Sequence, residues 1–272
     1  MSLIETDWLE KNIDKVKLIE CTWHLPSQNR NSFREYKDSH IPNAIFFDLD
    51  KNSNQNTDLP HMLPEKKRWE NIVSSMGISN DDEIIIYDNS DLISSCRCWY
   101  TFYYFGHDPK NIKVLNGGFK KWKLENKITT NIFPRINKSK YEANEFKDLV
   151  VNKEEVNKNI NEQTFKLIDA RSRARFNGQE KEPRSNLKSG SIPESQCLPF
   201  KDLINTQNNT FKDKKELKKI FSDILGIDNS SKIVFSCGSG VTASVLALAY
   251  SLIDNKYRPT IYDGSWSEYG RI

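Results

Sequence analysis

The sequence predicts an α/β fold in two tandem copies, each a mainly parallel β-sheet flanked by helices. Three observations lead to this prediction. Four segments recur in the same order, short apolar runs alternate with helical stretches, and a chain of 272 residues is long enough for two domains of ordinary size. The 14 Phe, 10 Tyr and 6 Trp supply enough apolar bulk for two cores.

The repeat is the most informative of these patterns. Each segment of the first copy has a counterpart about 150 residues further along the chain, so we infer a gene duplication. The matching pairs are KLIECTWHLP (17–26) with KLIDARSRAR (166–175), HIPNAIFFDLD (40–50) with SIPESQCLPFKDL (191–203), EIIIYDNS (83–90) with KIVFSCGS (232–239), and IKVLNGGFKKW (112–122) with PTIYDGSWSEY (259–269).

Helices are predicted between these apolar runs. One begins after Pro64 and ends near Gly77. Two others follow from apolar residues that share one helix face. These faces are Leu217, Ile220, Phe221, Ile224 and Leu225, and then Val241, Val245, Leu248 and Leu252. We therefore predict a first domain over residues 1–135, a polar linker over 136–150 and a second domain over 151–272.

Composition and charge favour a cytoplasmic protein that binds neither nucleic acid nor membrane. The 40 basic and 37 acidic residues give a net charge of +3, without a sustained basic stripe. The first residues, MSLIETDWLEKN, lack the apolar core of a signal peptide, and the most apolar run, residues 245–253, is too short to cross a bilayer. Five cysteines, an odd number, fit a reducing compartment. Cys96 and Cys98 have no second ligand pair at zinc spacing, so no metal is predicted.

The segment KIVFSCGSGVTASVLALAYSLI is predicted to run from a buried strand through a tight loop into a helix. Cys237 stands where the strand ends, and ligand sites of open α/β sheets lie at the carboxyl ends of strands. Gly238 and Gly240 let the backbone curl with its N–H groups inward, and the helix directs its positive end to the same point. Both effects favour the thiolate, so Cys237 is the candidate nucleophile.

These motifs resemble a known family. CGSGVTAS (237–244), DGSWSEYG (263–270), DARSRARF (169–176) and EPRS (182–185) are similar to segments of 3-mercaptopyruvate sulfurtransferases, which are tandem rhodanese proteins. WHLP, HIPNAIFFDLD and LPHMLP resemble the first domain of that family, so the resemblance covers essentially the whole chain. It implies two rhodanese-like domains of which the second is catalytic. In the first copy, Asp88 occupies the position of Cys237.

The resemblance also implies roles for other residues. Arg175 and Arg184 would bind the substrate carboxylate and carbonyl, which suits the planar guanidinium group. Asp50, His61 and Ser239 would form a relay in which His61, oriented by Asp50, polarises the serine hydroxyl.

The expected reaction is sulfur transfer without cofactor or metal. The Cys237 thiolate would take sulfur from the small-molecule donor 3-mercaptopyruvate and release pyruvate. Backbone N–H groups of Gly238, Ser239, Gly240, Val241 and Thr242 would hold the resulting persulfide. A thiol acceptor such as thioredoxin, or cyanide in an assay, would then remove the outer sulfur.

Three alternatives remain open at this point. The first is a thiosulfate sulfurtransferase on the same fold, although enzymes that prefer this dianion resemble CRKGVT where this chain has Gly238 and Ser239. The second is a phosphatase with a Cys-x5-Arg loop, which is disfavoured because Ala243 stands at the arginine position. The third is a non-catalytic sulfur-binding module, which the presence of Cys237 disfavours.

Overall fold

A computed structural model describes residues 2–226 and 232–272 of the chain. Two compact units divide it. The first comprises Met1–Gln55, Leu63–Phe146 and Asn205–Phe211, and the second comprises Asn56–Met62, Lys147–Ile204 and Lys212–Ile272. Much of the segment predicted as a linker therefore packs within the first unit. Its Ser139 and Asn144 N–H groups donate to the carbonyls of Ser74 and Phe105, at 3.0 and 2.9 Å.

The first unit is a five-stranded parallel sheet with helices. Its strands are β1 (Leu3–Ile4), β2 (Lys17–Glu20), β3 (Ala44–Phe46), β4 (Ile84–Tyr87) and β5 (Ile112–Leu115). Its helices are α1 (Thr6–Asn12), α2 (Ser32–Asp38), α3 (Leu49–Asn52), α4 (Lys66–Ser75), α5 (Ser95–Tyr104) and α6 (Gly118–Leu124). The order across the sheet is β1-β5-β4-β2-β3, with every pair parallel. All four residues of β4 are buried, as expected for a central strand covered on both faces.

The second unit repeats this plan. Its five-stranded sheet is formed by β6 (Val150–Val151), β7 (Phe165–Asp169), β8 (Gln196–Cys197), β11 (Lys232–Ser236) and β12 (Ile261–Tyr262). Two short strands, β9 (Ile204–Asn205) and β10 (Thr210–Phe211), form a separate two-stranded sheet, and β10 groups with the first unit. The helices after residue 150 are α7 (Lys153–Glu162), α8 (Arg173–Phe176), α9 (Lys214–Leu225), α10 (Val241–Ile253) and α11 (Ser265–Tyr269).

The order of the second sheet is β6-β12-β11-β7-β8, again with every pair parallel. Element by element, this is the order of the first sheet, which confirms the predicted duplicated α/β fold. The predicted helices correspond to α4, α9 and α10. Among the described residues, no helix has both the length and the apolar character needed to span a bilayer.

The strand register determines where the second unit places its loops. Ser236, the last residue of β11, lies beside Asp169, the last residue of β7, and Asp169 in turn lies beside Cys197 of β8. Because these strands are parallel, the chain leaves all three at the same edge of the sheet. The cysteine loop after β11 and the arginine-rich segment after β7 are therefore neighbours.

Candidate active site

Cys237 lies at the junction of β11 and α10, as the sequence predicted. The side chain is buried, with 2% of the residue exposed. Gly240 is the N-cap of α10 and has φ 78°, a left-handed conformation that glycine adopts without a steric penalty. The first N–H groups of a helix have no acceptor within the helix, so those of α10 are available to an anion at the loop.

Residues of the DGSWSEYG segment hold the backbone of this loop. The Ser265 hydroxyl accepts a hydrogen bond from the Cys237 N–H at 3.2 Å. The Trp266 and Ser267 N–H groups donate to the carbonyls of Cys237 and Gly238, each at 2.9 Å. The sequence analysis used this segment in the internal repeat and in the family resemblance, and it gave no role to the two serines. Their spacing alone carries no signal for a contact with a loop 28 residues away.

His61 and Ser239 lie in contact within the second unit. The His61 Nδ1 atom is 2.9 Å from the Ser239 hydroxyl oxygen, and both side chains are buried. His61 belongs to this unit because the segment Asn56–Met62 groups with it. The ring nitrogen donates or accepts depending on the tautomer.

Asp50 lies in the first unit, at the start of the chain segment that leads to His61. Its two carboxylate oxygens accept hydrogen bonds from the Trp23 indole N–H, each at 3.0 Å. The expected role of Asp50, to orient His61 in a relay with Ser239, stays a prediction.

Arg175 lies on the short helix α8, and Glu182 holds its guanidinium group. The Nε and Nη2 atoms donate to the two carboxylate oxygens of Glu182, at 3.2 and 2.5 Å. The same Nη2 atom lies 3.4 Å from the position that a Cβ atom on Gly238 would occupy. Arg175 therefore borders the cysteine loop, and its role in binding the substrate stays a prediction.

A buried ion cluster supports this arrangement. Arg171 donates to both oxygens of Asp169, to Glu182 at 2.7 Å and to the Gly190 carbonyl at 2.8 Å. Its guanidinium also lies 4.4 Å from the ring centroid of Trp266. Burial alone would lower the pKa of Arg171, but the charges of Asp169 and Glu182 outweigh burial and raise it. Sequence reasoning missed Arg171 and Glu182, although both lie inside the quoted DARSRARF and EPRS motifs.

Arg184 reaches the same loop through a serine. Its Nη1 atom donates to the Ser267 hydroxyl at 3.3 Å, and that hydroxyl donates to the Gly238 carbonyl at 2.5 Å. The two predicted substrate arginines thus approach the cysteine loop by different contacts. Val241 and Thr242 form the first turn of α10, next to Gly240.

The equivalent loop of the first unit carries a carboxylate. Asp88 follows β4, and its two oxygens accept hydrogen bonds from the Ser90 and Ser95 N–H groups, each at 2.8 Å. Burial raises the pKa of Asp88 to about 6. Cys96 and Cys98 lie nearby on α5 and are fully buried, and burial raises the pKa of the Cys96 thiol well above its usual range. In the first unit the position of the candidate nucleophile therefore has no thiol.

Comparison with known proteins gives the family. The model of the rhodanese-like domain matches residues 5–125 and 152–271. A thiosulfate/3-mercaptopyruvate sulfurtransferase from Arabidopsis thaliana, described as mitochondrial, is 35% identical over 98% of this chain and 75% of its own length. A 3-mercaptopyruvate sulfurtransferase from Escherichia coli is 33% identical, over 98% of this chain and 94% of its own length.

A solved structure agrees with these relatives. The crystal structure of SseA from Escherichia coli, described with the fold and mechanism of 3-mercaptopyruvate sulfotransferases, is 32% identical to this chain. The two superpose with a TM-score of 0.87, covering 98% of this chain and 100% of that one. Both halves of the chain carry the family domain, and the relatives align with nearly the whole of it. The chain therefore belongs to the rhodanese family and carries two rhodanese-like domains.

Proposed function

We propose that this protein is a 3-mercaptopyruvate sulfurtransferase whose sulfur carrier is Cys237. The observation that carries the proposal is the loop itself. A cysteine stands between the end of a central strand and the N-terminus of α10, with the His61–Ser239 hydrogen bond two residues away. The first N–H groups of α10 can stabilise an anion at this loop, and the serine–histidine pair would serve in proton transfer. The names of the relatives, which include sulfurtransferases of this class, support the same conclusion.

The donor step balances without a cofactor. The Cys237 thiolate attacks the sulfur of 3-mercaptopyruvate, so an S–S bond forms as the C–S bond breaks. The electron pair of the C–S bond stays on carbon as the enolate of pyruvate, which takes up a proton to give pyruvate. A thiol acceptor then attacks the outer sulfur of the Cys237 persulfide, and the Cys237 thiolate returns.

Arg175 and Arg184 are assigned to the carboxylate and carbonyl of the donor. Both are cations with several N–H donors, and both approach Gly238, next to the nucleophile. The developing enolate oxygen is stabilised by the same donors. Ser239 and His61 would supply or relay the proton, and Asp50 would orient His61. Amide groups of residues 238–242, at the start of α10, would hold the persulfide.

Three further parts of the proposal concern the setting. Residues 151–272 would be the catalytic domain and residues 1–135 the non-catalytic one, since Asp88 replaces the cysteine in the first copy. The acceptor would be a protein thiol such as that of thioredoxin. A cytoplasmic location is proposed because the five cysteines, an odd number, suit a reducing compartment.

The decisive experiment compares two donors and two proteins. Initial rates with 3-mercaptopyruvate and with thiosulfate should favour 3-mercaptopyruvate, and Cys237→Ser should abolish both while keeping the native circular dichroism spectrum. Mass spectrometry after donor exposure should show one added sulfur on Cys237. Sulfur on Cys96 or Cys98 with Cys237 unmodified would contradict the assignment of Cys237 as the sulfur carrier.

Thiosulfate as the main donor remains the second candidate, because the Arabidopsis relative is named for both substrates. The residues of the cysteine loop disfavour thiosulfate as the main donor. Gly238 and Ser239 add no positive charge, and Arg175 approaches Gly238 so closely that a side chain there would contact its guanidinium group. A dianion therefore gains little positive charge beyond that of the two arginines, whereas the charge of a singly charged donor is already balanced by them.

A further inference from the structure

Glu182 is shared between two guanidinium groups. One carboxylate oxygen, Oε1, accepts from Arg171 at 2.7 Å and from the Nε of Arg175 at 3.2 Å, and the other accepts from the Nη2 of Arg175 at 2.5 Å. The Glu182 side chain is 1% exposed. A buried carboxylate with fixed partners on both sides has little freedom to turn, so it also fixes the orientation of the side chains that donate to it.

Glu182 is itself held in place from behind. Arg171 is buried, is bound to Asp169 and to the Gly190 carbonyl, and stacks on Trp266. The end of β7 thus holds Arg171, Arg171 holds Glu182, and Glu182 holds Arg175. The last of these groups, Arg175, lies beside Gly238 of the cysteine loop.

The contact also selects the part of Arg175 that faces the loop. A guanidinium carries five N–H donors, and Glu182 takes two of them, on the Nε and Nη2 edge. Within the part of the chain that the structure describes, the Nη1 hydrogens and the second Nη2 hydrogen have no acceptor, so they can donate to a ligand. Because Nη2 lies 3.4 Å from the Cβ position of Gly238, this second fork is the one beside the loop.

The same contacts also balance the charges of the cluster. Arg171 and Arg175 carry two positive charges, and Asp169 and Glu182 carry two negative ones, so the four bonded groups are neutral together. An anionic donor therefore meets strong hydrogen-bond donors at Arg175 without an excess of positive charge. A second negative charge on the donor would therefore add little binding free energy at Arg175.

We propose that Glu182 is a positioning and specificity-determining residue. It aims the free fork of Arg175 at the donor, and by neutralising this guanidinium it favours a singly charged sulfur donor over a dianion. This inference rests on the proposed function, because it assigns donor binding to Arg175.

The test is the ratio of kcat/KM for thiosulfate to that for 3-mercaptopyruvate. Glu182→Gln keeps the size of the side chain and removes its charge. We expect the ratio to rise about tenfold or more, because the cluster becomes positive by one charge. Transfer from the preformed Cys237 persulfide to cyanide should stay within about twofold, since that step does not use the donor site. The matched control is Glu180→Gln, at an exposed carboxylate two residues away, which should leave the ratio unchanged.

Glu182→Asp provides a second measurement, which also applies if Glu182→Gln does not fold. It keeps the charge but shortens the reach, so KM for 3-mercaptopyruvate should rise about tenfold with a nearly constant donor ratio. An unchanged ratio in Glu182→Gln, or an unchanged KM in Glu182→Asp, overturns the inference. A wild-type protein that forms no persulfide with either donor overturns the proposed function instead.

Discussion

At the scale of single residues, the site depends on charged groups whose partners differ. Arg175 is bound to a buried carboxylate, whereas Arg184 is linked to the loop through the Ser267 hydroxyl. Removing Arg175 would leave Glu182 with part of its buried charge uncompensated, so stability and activity would change together. Arg184 donates to a neutral hydroxyl on the loop side, so its substitution removes a different kind of contact from the one that Arg175 makes.

Arg184→Ala should impair the donor step. Charge-assisted hydrogen bonds contribute about 1.5–3 kcal/mol, which corresponds to roughly a 10- to 150-fold lower kcat/KM for 3-mercaptopyruvate. Steady-state kinetics of donor and acceptor steps measure this loss. Arg173→Ala is the control, because its side chain is 61% exposed and pairs with Asp202. Equal kinetics for the two variants would show that Arg184 is an ordinary surface residue.

A second residue-scale prediction concerns Glu20, a buried carboxyl group at the end of β2. Burial raises its pKa to about 7, although the Tyr87 and Thr22 hydroxyls donate hydrogen bonds to it. Between about pH 4.5 and pH 7 the folded protein keeps a proton that the unfolded chain releases, so this group lowers stability as pH rises. Its contribution is about 3 kcal/mol in all.

Glu20→Gln should remove this part of the pH dependence. Urea titrations at about pH 5 and about pH 8 should show that the variant gains roughly 2–3 kcal/mol relative to the wild type over this range. Glu10→Gln, at an exposed position on α1, should follow the wild type at both pH values. The assignment is wrong if Glu20→Gln and the wild type lose stability in parallel.

At the scale of elements, the sequence carried more information about the strands than about what supports the loops. β4 and β11 are short apolar runs that end at a polar residue, and the glycines after Cys237 mark a turn before an apolar helix. These are local signals, so the strand, the loop and α10 could be predicted. The contacts of Ser265 and Ser267 with the loop depend on how β12 and α11 pack beside β11, and no local pattern encodes that packing.

Ser265→Ala tests how much α11 stabilises the cysteine loop. The substitution leaves the buried Cys237 N–H and the Tyr262 carbonyl without their hydroxyl partner, which should cost about 1–3 kcal/mol of stability. Urea unfolding gives the stability, and persulfide yield under limiting donor gives the effect on the loop. Ser251→Ala serves as control, since its hydroxyl donates only to the Leu248 carbonyl of its own helix. A loss no larger than that of the control would show that the loop does not need α11.

At the scale of the whole molecule, the duplication could be predicted because collinear matches survive in the sequence. Both sheets have the same strand order, and the rhodanese-like domain matches both halves. The grouping of Asn56–Met62 with the second unit and of Asn205–Phe211 with the first was not predicted. Such exchanges depend on long-range packing and leave no mark on periodicity. This is also why the sequence could suggest His61 as a partner of Ser239 only through the family resemblance.

The two copies differ in what surrounds the residue after their central strand, and this difference leads to a last prediction. In a Cys237→Ser background, Asp88→Cys should not restore sulfur transfer. Sulfur transfer at Cys237 is proposed to depend on Arg175 and on the His61–Ser239 pair as well as on the thiol. The loop that holds residue 88 is instead organised around hydrogen bonds from the Ser90 and Ser95 N–H groups.

Mass spectrometry after exposure to 3-mercaptopyruvate should find no added sulfur at residue 88, and turnover should match that of Cys237→Ser alone. A folded Asp88→Cys single variant that retains wild-type kinetics is the control for the substitution itself. A persulfide at residue 88 would show that the first copy still has a working donor site. The functional asymmetry of the duplication would then lie in one side chain instead of in the surroundings of the whole loop.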